Sequence, residues 1–298
     1  MSLIVNELTK VFGTKTAVDH LSFCIDKPGV FGLIGTNGAG KTTTIRMMLG
    51  IVRPDYGTSE WNGKPISRET LSFGYMPEER GIYGKVPVLE QLIYFGMLRG
   101  MSKAAARESA LRLIKRLELD EYKNMLADKL SKGNQQKVQL AATLIHDPEL
   151  IILDEPFSGL DPVNTEALRE IIGELIEAKK YIVMSSHQMT TVEEYCENLV
   201  LLHRGKTVLS GSLRSIKASY GHNRLLVEAD ERSEEIAAEL GLRLNEKRAD
   251  GCEYAISGKD EADRFLKTLT DNNVFPTRYE LREPSLNEIF IEKAGSDA

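Results

Sequence analysis

Cysteine is scarce in this sequence of 298 residues: Cys24, Cys196 and Cys252 stand far apart and form no C-x-x-C pair, which excludes a disulfide framework and a cysteine-based zinc site. Long apolar runs are missing too. No stretch approaches the roughly 18 apolar residues that a spanning helix needs, and residues 1–10 hold no basic segment followed by an apolar run. The expectation is a cytosolic chain with reduced thiols that reaches any membrane through a partner. Nor is there an excess of positive charge: 38 Lys and Arg stand against 44 Asp and Glu, a formal net charge of -6. That balance offers no basic surface for a phosphate backbone, so nucleic acid is not an expected partner. Internal repeats, low-complexity segments and an Asn-Lys-x-Asp guanine-reading motif are also absent.

What is present is an ordinary globular composition with 42% hydrophobic residues, enough to bury a sizeable core in one large domain and a smaller companion. Short apolar runs alternate with longer helical patterns, the sign of a layered α/β domain. Residues 30–34, 150–153 and 181–184 read as buried strands. In an open parallel sheet ligands bind beyond the carboxyl ends of the strands, so the chemistry is expected just after these runs. From 86 to 145 the pattern turns helical, with Leu89, Leu92, Ile93 and Phe95, then Leu111, Ile114, Leu117 and Leu119, at helical spacing. Asp161-Pro162 opens another helix that runs to about Ala178. Beyond about Tyr220 a highly charged block reads strand (224–227), helix (231–240), strand (252–257), helix (260–269), strand (275–281) and a short amphipathic helix near 286–291, a small α+β domain over 222–298.

Gly35-Thr36-Asn37-Gly38-Ala39-Gly40-Lys41-Thr42 matches G-x-x-x-x-G-K-[ST] between the apolar run at 30–34 and a helical run at 43–49 that starts with Thr43. The glycines let the backbone wrap closely enough to aim N–H groups at phosphate oxygens, and the helix N-terminus adds a favourable dipole. Lys41 is expected to reach the β- and γ-phosphates and the Thr42 hydroxyl to ligate Mg²⁺. Asp154 and Glu155 end an apolar strand, where desolvated carboxylates are costly unless a metal or strong donors compensate. Taken alone, the pair could equally be a strand leaving the core. Beside the phosphate loop, Asp154 suits the Mg²⁺ side and Glu155 the polarisation of an attacking water.

At this point the chain resembles the ABC ATPase family over most of its first 215 residues. Leu130-Ser131-Lys132-Gly133-Asn134-Gln135-Gln136-Lys137 is similar to the family's LSGGQ signature, Ser158-Gly159-Leu160-Asp161 to its D-loop, and His187 to its switch histidine. Phe12 resembles the aromatic that stacks on adenine. Glu78 stands in the stretch 76–81 where the family usually has glutamine, and Lys132 and Asn134 replace a Gly and a Gln of the signature. The resemblance implies an α/β P-loop NTPase domain of the ABC-ATPase type over 1–218, with a helical subdomain (about 86–145) and an antiparallel β subdomain, followed by the small α+β domain. It also implies ATP and Mg²⁺ as ligands, with Ser131 and Gly133 of one copy facing the nucleotide of a second copy, or of a related subunit, and Glu155 as base with His187 at the γ-phosphate. Glu78 would keep a metal-sensing role. Residues 78–101 would receive short helices of membrane-spanning permease subunits on the inner face of the membrane. The C-terminal stretch around Pro284-Ser285-Leu286-Asn287-Glu288-Ile289-Phe290 resembles exporters of drugs and sodium. The competing reading is a soluble ABC ATPase of translation or DNA maintenance, which would carry two linked nucleotide domains or a long coiled-coil insertion. Neither is present here.

Overall fold

The computed structural model describes residues 1–298 except 68, 80, 249, 250 and 296–298; Arg80 of the stretch 76–81 therefore lies outside the described residues, as does the end of the expected second domain. By internal contacts the chain divides into two compact units, Met1–Ser210 and Gly211–Ala298.

In the first unit two sheets arise from different sequence patterns. Apolar and polar residues alternate along β1 (Leu3–Phe12) and β2 (Lys15–Ile25), so Leu3, Val5, Leu21, Phe23 and Ile25 face inward while Ser22 and Cys24 are exposed. These strands pair antiparallel, and β1 also pairs with β4 (Tyr56–Trp61), beside which lies the short β5 (Lys64–Pro65). The other sheet is built from continuous apolar runs. Its strands β3 (Gly29–Gly35), β7 (Leu150–Asp154) and β8 (Tyr181–Ser186) are buried along nearly their whole length, as strands covered on both faces must be. With β6 (Phe73–Met76), β9 (Cys196–His203) and β10 (Lys206–Ser212) the order is β10-β9-β3-β8-β7-β6, and the pairs from β9 to β6 are parallel. One core joins the two sheets through α1 (Lys41–Met48), from Leu3, Leu21 and Trp61 across Ile45 and Met48 to Leu33, Ile152 and Val183.

The stretch expected to be a helical insert holds α2 (Val88–Leu98), α3 (Lys103–Arg116) and α4 (Lys132–Leu144), with Ser102 and Ser131 capping the last two through their hydroxyls. Next come α5 (Pro162–Glu177), capped by Asp161, and α6 (Met189–Tyr195). Because β3, β6, β7 and β8 run parallel, the segments that follow their carboxyl ends share one edge of the sheet.

The second unit begins with α7 (Leu213–Tyr220) and continues β11 (Arg224–Glu228), α8 (Glu231–Glu239), β12 (Arg243–Arg248), β13 (Gly251–Ala255), α9 (Lys259–Asp271), β14 (Arg278–Arg282) and α10 (Leu286–Gly295). The strand order β12-β13-β11-β14, all antiparallel, is that of a ferredoxin-like β-α-β-β-α-β fold. Leu225, Val227 and Tyr254 pack on Ile236, Phe265 and Leu269 of the two helices in a core of its own. Ser285 and Glu288 form a reciprocal capping box at the start of α10: Glu288 Oε2 accepts from the Ser285 N–H at 2.8 Å, and Ser285 Oγ accepts from the Glu288 N–H at 3.3 Å.

Some details differ from the sequence reading. α1 begins at Lys41, two residues before the expected start, so the motif's Lys and Thr lie inside its first turn. β14 begins at Arg278 and not at residue 275, since Pro276 has no N–H for a ladder and Phe275 is 71% exposed. β12 was not expected at all.

Candidate functional site

The phosphate loop leaves β3 at Gly35 and enters α1 through Gly40, whose φ of 110° and close approach to the Ala17 carbonyl, 2.5 Å from where a Cβ would sit, leave room only for glycine. No side chain caps this helix, so its first N–H groups open toward the cleft. Lys41 is almost wholly buried. Its Nζ donates to the carbonyls of Gly35 (2.8 Å) and Thr36 (3.2 Å) and stands 3.0 Å from Glu155 Oε1. That last contact is an ion pair without hydrogen-bonding geometry.

Both acids at the end of β7 are buried, Asp154 at 1% and Glu155 at 6% exposure. Asp154 Oδ1 accepts from Ser185 Oγ at 2.5 Å, and the Tyr75 hydroxyl stands 3.5 Å from Oδ2. Burial pushes the Asp154 carboxyl above the ordinary value, against the pull of hydrogen bonds from Ser185 and Thr42 and of the Lys41 charge. Burial and the neighbouring Asp154 push the Tyr75 phenol up to about 12. Glu155 has a left-handed φ of 52°, and its N–H donates to Ser185 Oγ at 2.9 Å. Its Oε2 faces His187, 2.8 Å from Nδ1 and 3.4 Å from the backbone N–H. Lys41, Thr42, Asp154, Glu155 and His187, separated by up to 146 positions in sequence, thus form one connected cluster.

A cleft of about 440 Å³ opens over this cluster, lined by Phe12, Asn37, Gly38, Ala39, Gly40, Lys41, Thr42, Thr43, Glu78 and Glu155 among others. Gly35 and Thr36 lie behind it, their carbonyls holding Lys41. Phe12 is half exposed at the cleft, with Lys10 Nζ 5.5 Å from its ring centroid. Glu78 also borders an adjoining cleft with Lys132, Asp154, Glu155 and Ser158. Its loop is gripped by Gln139 of α4, whose buried amide donates to Pro77 O at 2.7 Å and Glu79 O at 3.2 Å.

Ser131 and Gly133 stand apart from the phosphate-loop cleft. Ser131 Oγ accepts from the Asn134 N–H at 3.2 Å as the cap of α4, and Gly133 lies against Asn164 at the start of α5, which Asp161 holds by two hydrogen bonds. Sequence reasoning missed Ser185, Gln139 and Lys15, the last of which also lines the cleft. Ser185 carries only the signal of a polar residue closing an apolar strand, and Lys15 that of facing Phe12 across a hairpin.

Oxygen donors suit a small hard cation, and the Thr42 hydroxyl acts on the Asp154 carboxylate, pulling its pKa down. Among the described residues, no three His, Cys, Asp or Glu side chains group into a self-sufficient metal cage. Magnesium fits that arrangement, since it is commonly held by one or two carboxylates together with substrate phosphates.

Comparison with known proteins agrees with this geometry. A family model described as ABC transporter matches residues 18–158, and one described as the C-terminal domain of DrrA1-3-like ATP-binding proteins matches residues 211–294. The uncharacterized ABC transporter ATP-binding protein YhaQ of Bacillus subtilis is 42% identical over 99% of both chains. The Nod factor export ATP-binding protein I of Paraburkholderia xenovorans is 35% identical over 72% of this chain and 72% of its own. A solved structure of the ATP binding subunit of an ABC transporter aligns with 74% of this chain and 93% of its own at a TM-score of 0.67 and 31% identity. With a phosphate loop facing paired acids and relatives matched along its whole length, the chain belongs to the ATP-binding proteins of ABC transporters, which hydrolyse ATP to power transport.

Proposed function

We propose that the chain powers export as one of a pair of ATPase subunits, docked on separate membrane-spanning partners at the inner face of the membrane. Among the described residues no helix is long and apolar enough to cross a bilayer, and the conduit is assigned to other chains. The export direction rests on the similarity to the Nod factor export protein. Residues 78–101 are assigned to the permease contact, and Ser131 and Gly133 to the nucleotide of the second copy.

The observation that carries the proposal is the Lys41–Glu155–His187 series, with contacts of 3.0 and 2.8 Å at the carboxyl ends of parallel strands. In the assigned roles, the triphosphate takes Lys41 from Glu155, which frees the carboxylate to accept a proton from the attacking water. His187 donates from Nδ1 to Glu155, holds that carboxylate in place, and turns its other ring nitrogen toward the γ-phosphate. Phe12 stacks on the adenine, and residues 35–43 enclose the phosphates. Thr42, Asp154 and Glu78 would hold magnesium, which supplies charge neutralisation at the phosphate oxygens. Closure of the pair on ATP performs the work, to the extent that ATP binds the closed arrangement more tightly.

Glu155→Gln tests the assignment. Turnover is expected to fall by roughly 100-fold or more while ATP binding persists and a stable pair appears on size-exclusion chromatography. Hydrolysis near the wild-type rate would remove Glu155 from its role. Purification from membranes with identification of the accompanying chain tests the permease assignment.

A further inference from the structure

The residue that touches both acids at once is neither in the phosphate loop nor in any of the matched motifs. Ser185, two positions before His187 on β8, is wholly buried. Its single hydroxyl proton is committed to Asp154 Oδ1 at 2.5 Å, and its oxygen accepts the Glu155 N–H at 2.9 Å. One oxygen atom thereby joins the side chain of the first acid to the backbone of the second.

We infer that Ser185 is a positioning residue for ATP hydrolysis, which sets the Asp154 carboxylate for the magnesium side of the nucleotide and holds Glu155 at the angle from which it meets water. The inference rests on the roles proposed above for Asp154 and Glu155.

Geometry explains why a hydroxyl is needed there. Asp154 closes a buried strand, and its two oxygens face different ways: Oδ1 is tied to β8 through Ser185, and Oδ2 is the one nearer Tyr75. A carboxylate held by one oxygen cannot spin about its terminal torsion, so the position it offers a cation is set before the cation arrives. Glu155 is the more demanding case. It is a non-glycine residue at a φ of 52°, a conformation that persists only where the surroundings impose it. The bond from its N–H to Ser185 supplies that restraint. With the backbone set by Ser185 and the carboxylate by His187, Glu155 is fixed at both ends, by a residue of β8 and by the residue that directly follows the strand.

Ser185→Ala removes both bonds with little change in volume, and Ser185→Cys fills the space with a poor donor. In full-length protein, binding of a fluorescent ATP analogue is titrated against Mg²⁺, alongside ATP turnover and thermal unfolding. For both variants the Mg²⁺ concentration that half-restores tight binding is expected to rise about tenfold, and turnover at saturating Mg²⁺ to fall at least tenfold. Affinity without Mg²⁺ stays at the wild-type value, because Lys41 and the loop are untouched. Ser185→Thr, which keeps the hydroxyl, recovers most of the Mg²⁺ response. If both variants melt at a lower temperature yet keep the wild-type Mg²⁺ half-point and turnover, Ser185 is structural only and the inference is wrong. A wild-type protein that binds the analogue without any Mg²⁺ dependence would instead overturn the reading of Asp154 itself. Should the Ala variant fail to fold, the Cys variant decides by the same two readouts.

Discussion

Lys41 and Glu155 are each about 95% withdrawn from solvent and 3.0 Å apart, a situation in which removing one charge costs more than removing both. Lys41 keeps two carbonyl acceptors if Glu155 is neutralised, whereas Glu155 keeps only His187 and its own backbone restraint if Lys41 is lost. Lys41→Ala is therefore expected to lower the unfolding free energy in nucleotide-free buffer by about 3 kcal/mol, and the Lys41→Ala/Glu155→Gln double variant to regain about 1 kcal/mol or more of it. Urea unfolding of the four proteins closes the cycle; a double variant weaker than Lys41→Ala would mean that packing, not an orphaned charge, sets the cost. A second residue answers to pH. His146 donates from Nε2 to Phe73 O at 3.1 Å, and burial, together with the Arg99 charge, pushes its pKa from 6.5 down to about 4. The native state then binds fewer protons than the unfolded chain between those values, so this contribution is complete above pH 6.5 and is lost as pH falls toward 4. Because the ring is partly exposed, solvent screening leaves about 1 kcal/mol of it. His146→Gln keeps a donor for Phe73 and cannot titrate, so its urea midpoint should fall less steeply from pH 6.5 to 4.5 than that of wild type; parallel profiles would show that the histidine takes up its proton equally in the folded and unfolded states.

At the scale of elements, the signature helix and the helix after the D-loop are fitted together by one missing side chain. A Cβ at Gly133 would lie 2.1 Å from Asn164 Nδ2, and that amide cannot simply swing away because Asp161 Oδ2 holds it at 2.6 Å. Gly133→Ala is expected to break the Asn164–Asp161 bond and cost about 1–2 kcal/mol, and Asn164→Ala in the same chain to restore most of it. Thermal melts of the single and double variants check this, and a Gly133→Ala protein as stable as wild type would show that the two helices separate freely. Such contacts explain how much of the molecule could be read in advance. Buried strands β3, β7 and β8 declare themselves as apolar runs, and the phosphate loop is legible because its residues act within a single turn of chain. β12 has almost nothing to declare: Arg243-Leu244-Asn245-Glu246-Lys247-Arg248 is exposed throughout and belongs to the sheet through its backbone ladder with β13. In β1 the bulge at Glu7, where φ is 51°, moves the inward set from Val5 to Leu8 and breaks the two-residue period. Ser185 and Gln139 were invisible for another reason. Each acts on residues at least 30 positions away, and nothing in a lone serine or glutamine marks the partner it will meet.

For the whole molecule, the two units keep separate cores, and the chemistry described above belongs entirely to the first. The second is built on a complete β-α-β-β-α-β sequence whose central Phe265 is fully buried beside Tyr254 at a ring separation of 5.6 Å. A unit of that size, with both helices packed on one face of its sheet, has enough apolar surface to fold alone. The fragment 211–298 is therefore expected to unfold cooperatively in urea, with a slope of about 1 kcal/mol/M and a native near-ultraviolet signal from Tyr254 and Tyr279. The single tryptophan makes the matching measurement clean. Trp61 is buried in the first unit against Tyr181, ring centroids 5.0 Å apart, so its fluorescence in the full chain reports on that unit alone. Its transition should coincide with that of the fragment 1–212, which retains all of β10. If 211–298 instead loses its structure gradually, or if the Trp61 midpoint drops sharply once the second unit is removed, the two cores stabilise each other and the C-terminal unit cannot be treated as an independent module attached to the ATPase.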